Sequence, residues 1–321
     1  MTLYYLESFF IKKVKGRDNM EQYIRQIIKK YNDLFDENTS IEKVNVGFTN
    51  LIYILDKKFI LKICSNYENE KEFKNEINFY NKNEGNNLIP KLYYYDDSKK
   101  DIPYVYEIIE KVEGVSLYNV WHLLSEDKRK NVIKQLCDAM KFFHSNIGKP
   151  FCWEDYITNK FLKLYKKAKE SNIFSVEEQQ LIEDAIPLFS KFLLSNKFVL
   201  VHNDLHFDNV IYKDGNIKLI DFERAIIAPK DFELDILYRM VRMPWKFASE
   251  ETEKFVKKED YSNIMLYIKE FYPELINIPN LYERLGIYDM LYFIDQYVEH
   301  PEYDDLKEPI IDGAKLVLKN N

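Results

Sequence analysis

Asp204 is followed five positions later by Asn209, and a second aspartate, Asp221, closes the apolar run Leu219-Ile220. A carboxylate on a loop can accept the proton of a hydroxyl and aim its oxygen at phosphorus. An amide oxygen entering a strand, and a carboxylate ending the next one, are hard donors suited to Mg²⁺. Together they form the residue set of phosphoryl transfer, where positioning and charge neutralisation carry the barrier and no covalent nucleophile is needed. The loop reads Val201-His202-Asn203-Asp204-Leu205-His206-Phe207-Asp208-Asn209, and His202 is expected to support it by hydrogen bonds rather than act as a base. A β-hairpin flanked by solvated acids is the bland alternative. It accounts for one acid and one amide, but not for three groups at these spacings and in these strand contexts.

The segment His202–Ala225 resembles the signature of the aminoglycoside phosphotransferase and choline kinase superfamily, small-molecule kinases with a protein-kinase-like fold. Protein kinases usually carry a lysine two positions after the catalytic aspartate and a glycine two positions after the metal aspartate. Here those positions hold His206 and Glu223, which favours the small-molecule branch. The Asp-Phe-Glu sequence also removes the flexible glycine, so no activation-loop switch is expected. The resemblance implies an α+β bilobal architecture: an N-terminal antiparallel-sheet lobe for nucleotide binding (1–109), a hinge (110–114) and a mainly helical catalytic and substrate-binding lobe (115–321). It implies ATP or GTP as cosubstrate and Mg²⁺ as metal ion, held by Asn209 and Asp221, with Asp204 as the catalytic carboxylate.

The same resemblance, running from about Asn45 to Asp235, assigns roles upstream. Gly47, Thr49 and Asn50 fall where the family places its nucleotide-covering loop; a glycine there lets backbone N–H groups approach phosphate. Lys62, in Phe59-Ile60-Leu61-Lys62-Ile63, becomes a point charge on the phosphates, although a lysine in such a run also suits a sheet edge. Glu76 is its expected carboxylate partner, with Glu72 one turn earlier as the rival. Glu110 C=O and Val112 N–H would pair with the purine edge. Asp235 is expected to brace the catalytic loop from the start of a helix, or to be a solvated acid there.

These groups need elements to hold them. Tyr23, Ile24, Ile27, Ile28, Tyr31 and Leu34 recur at helical spacing, and Ile41–Ile63 alternates as strands broken at Gly47 and Asp56-Lys57-Lys58. A helix is expected over Glu70–Asn83, then strands at Lys91–Tyr95 and Val105–Ile109. Beyond Gly114 the pattern turns helical, with helices over Glu126–Ser145, Lys160–Glu170, Val176–Ser195 and Ile236–Met243. Among them lies an island of short strands at Phe198–Val201, Val210–Tyr212 and Ile217–Ile220.

Composition narrows the partners. Lys+Arg number 46 against Asp+Glu 53, a formal charge of −7, which argues against nucleic acid and is compatible with a cationic substrate. Three cysteines without paired spacing suit a reducing cytosol. Met1–Lys15 makes a poor signal peptide, and no apolar run reaches the ~20 residues of a membrane helix. A cytoplasmic protein is therefore expected, with a monomer as the default. Aminoglycosides rank first among acceptors; choline, other amino alcohols, sugars, homoserine and macrolides stay open. Asp289, Tyr292, Asp295, Tyr297 and Glu299 could present ammonium-binding groups on one helix, or simply pack it. Trp245 could line a pocket or fill a core. A nucleotide-binding pseudokinase is the reading from another class, and every catalytic position being filled speaks against it.

Overall fold

Short β-branched and aromatic runs separated by turn residues build the first sheet. The computed structural model describes residues 17–44, 50–248 and 250–320. Strands β1 (Ile41–Val44), β2 (Leu51–Leu55), β3 (Phe59–Ile63), β4 (Leu92–Asp96) and β5 (Tyr106–Glu110) form one antiparallel sheet in the order β1-β2-β3-β5-β4. Asp56 and Lys57 take φ of 50° and 59° in the β2–β3 turn, the twist that a tight hairpin favours. Helix α1 (Arg17–Lys30) lays Ile24, Ile27 and Ile28 into a core with Tyr53, Leu55, Leu61, Ile63, Tyr106 and Ile108. Helix α2 (Glu70–Lys82) follows β3 and buries Phe73, Glu76, Ile77, Phe79 and Tyr80.

The chain divides into two compact units, each built from three separate stretches of sequence. The first comprises Met1–Leu124, Phe207–Ala225 and Trp245–Val256; the second comprises Ser125–His206, Ile226–Pro244 and Lys257–Asn321. The hairpin Val210–Lys213/Asn216–Leu219, expected in the second lobe, thus packs with the first unit. The reason is pairing: Val115–Ser116 adds to it antiparallel, and Leu219 N–H donates to Leu88 O at 2.8 Å.

The second unit is mainly helical. Glu126–His144 runs as expected, and the next helix starts earlier than expected, spanning Trp153–Glu170. The stretch 176–195 is not one helix. Ser175 and Glu178 form a capping box for Val176–Ala185, after which Pro187 forces a 3₁₀ turn, Ile186–Leu188, before Phe189–Leu193. Val199–Val201 pairs antiparallel with Ile226–Ala228, a three-residue strand too short to announce itself in the sequence.

One buried polar network fastens this unit. Arg284 forks onto Asp231, Nε to Oδ2 at 2.7 Å and an amino group to Oδ1 at 2.9 Å, and also donates to Phe192 O at 2.8 Å. Tyr288 donates to Asp231 at 2.8 Å and accepts from Trp153 Nε1 at 3.0 Å. Removing one partner of a buried pair leaves the other charge uncompensated, so Arg284→Met is expected to cost about 3–5 kcal/mol of stability, read by chemical denaturation.

Candidate active site

Lys62 stands on β3, nearly buried at 7% exposure, and its ammonium is met by two acids of the first unit. Glu76 of α2 accepts through Oε2, and Glu223 Oε1 lies 2.9 Å away. Of the two glutamates in competition, Glu76 therefore reaches the lysine, while Glu72 points to solvent. Burial works against the ammonium, but the carboxylates of Glu76, Asp221 and Glu223 outweigh it and hold Lys62 well above the ordinary lysine value. Glu76 is itself pinned: Tyr80 hydroxyl donates to its Oε1 at 2.9 Å and Phe222 N–H at 3.3 Å. Asn50 donates its side-chain amide to Glu223, whose own carboxyl burial pushes upward against the pull of Lys62. Gly47 and Thr49 lie outside the described residues.

Asn209 and Asp221 sit at the same end of the hairpin. The register places Val210 opposite Leu219, and Ile220 N–H donates to Asn209 O at 3.0 Å. Asp214 and Gly215 turn the other end with φ of 50° and 90°. Asn209 is 7% exposed, closing a 3₁₀ turn, Phe207–Asn209, that Ser116 steadies by donating to Asp208 at 2.6 Å. Asp221 adopts φ of 66°, an unusual choice for a residue with a Cβ, and holds it because the next residue is locked. The Phe222 ring stacks on Phe79 at 3.8 Å between centroids and meets Tyr80 edge-on. Carboxylate oxygens of Glu76, Asp221 and Glu223 lie within 4.8 Å of one another. All are hard oxygen donors, and with Asn209 they fit the chemistry of Mg²⁺ rather than of a softer metal.

The segment Glu110–Gly114 leaves β5. Glu110 receives Lys218 at 2.8 and 2.9 Å, and among the described residues the N–H of Val112 has no acceptor. An open hollow of about 530 Å³ adjoins this segment, with Val112, Ile211 and Ile217 in its lining.

Asp204 belongs to the second unit and is held by its flanks. His202 and Leu205 are buried at 1% each, Asn203 takes φ of 61°, and His206 N–H donates to Asp204 O at 3.0 Å. The Asp204 side chain keeps 19% exposure, with His206 Nε2 3.8 Å from its Oδ1. The brace expected from Asp235 falls to Glu233, which accepts His202 N–H at 2.9 Å and lies 3.3 Å from His144 Nε2. Asp235 instead pairs with Arg239 one turn on. Residue 235 already lies inside the helix Leu234–Arg242, whereas Glu233, in the preceding 3₁₀ turn, faces the loop. Glu233→Ala orphans a buried amide and is expected to lower stability by about 1–3 kcal/mol, visible as a lower thermal midpoint.

The acidic stripe of the helix Leu281–Glu299 divides in two. Asp289 is 4% exposed and neutralised by Arg239, 3.1 Å away, and by Arg242; Tyr297 is buried and bonded to Ile173 O at 3.5 Å. These two are packing and pairing groups, not ligand-facing ones. Tyr292 is partly exposed, with the Arg239 guanidinium 3.7 Å over its ring, while Asp295 and Glu299 reach solvent. Trp245 is 40% exposed and fills no core. Glu107 and Glu233 were not singled out in the sequence, and Glu223 only as a departure from the protein-kinase glycine, not as a partner of Lys62; for Glu107 an acid inside the apolar run Tyr106-Glu107-Ile108-Ile109 was the one available signal.

Solved structures similar to this chain include aminoglycoside phosphotransferases. The ADP-bound aminoglycoside phosphotransferase APH(2'')-Ib matches with a TM-score of 0.61 at 18% identity, over 92% of this chain and 96% of that one. The streptomycin-ATP-APH(2")-IIa ternary complex gives 0.65 at 18%, over 94% and 96%. A thermostable mutant of aminoglycoside phosphotransferase APH(4)-Ia, with AMP-PNP and hygromycin B, gives 0.64 at 15%, over 94% and 99%. No curated protein matches the chain. No described helix is long and apolar enough to cross a membrane. The model of the phosphotransferase enzyme family matches residues 40–257, and the chain belongs to that family.

Proposed function

We propose that this protein transfers the γ-phosphate of ATP or GTP to a hydroxyl of a small molecule, with an aminoglycoside as the first-choice acceptor. One observation carries the reading: a buried lysine is held by a helix glutamate, and that glutamate also binds the backbone of the segment bearing Asp221. A protein that merely packed well would have no reason to bury one ammonium among several acids. The arrangement suits a lysine kept charged and aimed at phosphate oxygens.

In this mechanism Lys62 binds the nucleotide's phosphates, and Glu76 keeps its stem extended. Val112 N–H, which has no acceptor among the described residues, pairs with the nucleobase, as does Glu110 C=O. Asp204 orients the acceptor hydroxyl and takes its proton as the oxygen–phosphorus bond forms and the bond to the nucleoside diphosphate breaks. His202 supports that loop through its backbone N–H to Glu233. Asn209 and Asp221 would hold Mg²⁺, which when bound supplies neutralisation of the phosphate charge. With positioning and electrostatics in place, transfer is direct and in line, without a phosphoenzyme.

The aminoglycoside choice draws support from relatives of the same fold that bind streptomycin and hygromycin B, and from the solvent-facing Asp295 and Glu299. We place the protein in the cytosol as a monomer, where nucleotide is available and Cys64, Cys137 and Cys152 stay thiols. A coupled nucleotide-consumption screen with ATP and GTP tests the reading against aminoglycosides, choline, other amino alcohols, sugars, homoserine and macrolides. Turnover stimulated by one acceptor class identifies it. Tight nucleotide binding with no stimulation by any acceptor would mark a pseudokinase instead.

A further inference from the structure

The segment that leaves β5 is clamped onto the hairpin that carries Asn209 and Asp221, and both belong to the first unit. Glu110 ends β5, and its carboxylate receives the Lys218 ammonium at 2.8 Å on Oε1 and 2.9 Å on Oε2. Lys91 N–H donates to the same carboxylate at 3.1 Å, while Glu110 N–H returns a bond to Lys91 O at 2.8 Å. One residue on, Lys111 N–H reaches Lys58 O at 2.8 Å. Glu113 then pairs with Lys213, and Gly114 lies so close to the hairpin that a Cβ there would meet Tyr212 O at 2.5 Å. Val112 is the residue left between these ties, and its N–H has no acceptor among the described residues.

The energetics of the Lys218–Glu110 pair point away from a purely structural use. The two side chains keep 29% and 32% exposure, so water screens the pair and it adds little to the stability of the fold. Its place is more informative. Lys218 and Glu110 line the hollow of about 530 Å³ together with Lys58, Val112, Ile211 and Ile217. Ile211 stands opposite Lys218 in the hairpin register, and cross-strand partners on a pleated ladder share one face. We propose that Lys218 is a positioning residue for the nucleobase, a role that rests on the nucleotide reading and deepens it. By gripping the Glu110 side chain, Lys218 fixes the peptide groups around Val112, so that Glu110 C=O and Val112 N–H are presented to the base. Lys218 also precedes Asp221 by three residues on the same hairpin. The base edge and the phosphate end of the nucleotide are thereby set by one frame.

The test separates the base from the phosphates. In calorimetric titration with Mg²⁺-AMP-PNP, Lys218→Met should bind about three- to tenfold more weakly than wild type, the scale of a lost, partly screened bond between charged groups. Mg²⁺-tripolyphosphate, which has the phosphates and no base, should bind both proteins equally. Lys218→Arg can fork the same carboxylate and should restore the AMP-PNP affinity. With AMP-PNP at saturation, hydrogen exchange at Val112 should slow in wild type and in Lys218→Arg, and slow less in Lys218→Met. All three proteins should melt together, because the pair is partly exposed.

Undiminished AMP-PNP affinity in Lys218→Met overturns the proposal. So does an equal loss for AMP-PNP and tripolyphosphate, or a loss that arginine does not repair. A clearly lower melting temperature in Lys218→Met would make the pair a structural one and also overturn it. Failure of the wild-type chain to bind AMP-PNP sinks the nucleotide reading itself, and the role of Lys218 with it.

Discussion

Asp204→Ala is expected to lower kcat by roughly 10²–10⁴-fold, the share that a positioned proton acceptor supplies, while nucleotide affinity stays at the wild-type level. The two effects separate because the groups lie in different units of the chain. Asp204 belongs to the second, while Lys62, Glu76, Asn209 and Asp221 belong to the first. The substitution is also mild for the fold. The Asp204 side chain is partly exposed, and the loop around it is held by Leu205 and by the bond from His202 N–H to Glu233, neither of which the variant touches. Steady-state kinetics together with calorimetry on AMP-PNP would reveal the split. Retained turnover would remove Asp204 from the chemistry; lost nucleotide binding would make it a structural residue.

Lys62→Met is expected to fail in the opposite way, in both stability and nucleotide binding. The ammonium is nearly buried and faces Glu76 and Glu223, so its removal leaves carboxylates with no compensating charge. Breaking a buried pair from one side costs about 3–5 kcal/mol. Because Lys62 sits well above the ordinary lysine value, the wild-type ammonium stays charged across the physiological range. The double variant Lys62→Met/Glu76→Gln should regain part of the stability, since the orphaned charge disappears, but none of the nucleotide affinity. Denaturant titration of the three proteins checks the first statement and AMP-PNP calorimetry the second. Full stability of Lys62→Met would mean that the acids around it are already protonated.

These expectations began as spacings. The interval from Asp204 to Asn209, and the apolar run ending at Asp221, were legible because local turn and strand chemistry fixes them within a few residues. The sheet was legible for the same reason: alternation in Leu51–Leu55 and Phe59–Ile63 marks a hairpin without help from the rest of the chain. Glu76 was only favoured over Glu72 in the sequence; the structure separates them, since one turn of α2 divides a buried position from an exposed one.

What stayed hidden depended on partners distant in sequence. Asp289 reads as a surface acid until Arg239 and Arg242, some fifty residues earlier, are seen to meet it. Glu233 and Asp235 are equivalent by composition, and only the start of the helix decides which one faces the catalytic loop. Glu107 is the sharpest case, an acid buried in an apolar strand directly opposite Lys62 of β3. The return of Phe207–Ala225 to the first unit had no local signal either, since a two-residue strand at Val115–Ser116 supports it. Pro187, by contrast, was in plain view, and the helix it breaks should have been divided there.

Phosphorus NMR is the most direct examination of the central claim. The protein is incubated with Mg²⁺, ATP or GTP and the acceptor panel, then compared with the same mixture containing the Asp204→Ala variant. A new phosphate-monoester resonance, growing in step with nucleoside diphosphate, dependent on Mg²⁺ and absent from the variant, is the predicted result. Nucleotide loss to inorganic phosphate alone, or an ester formed equally well by the variant, would contradict it.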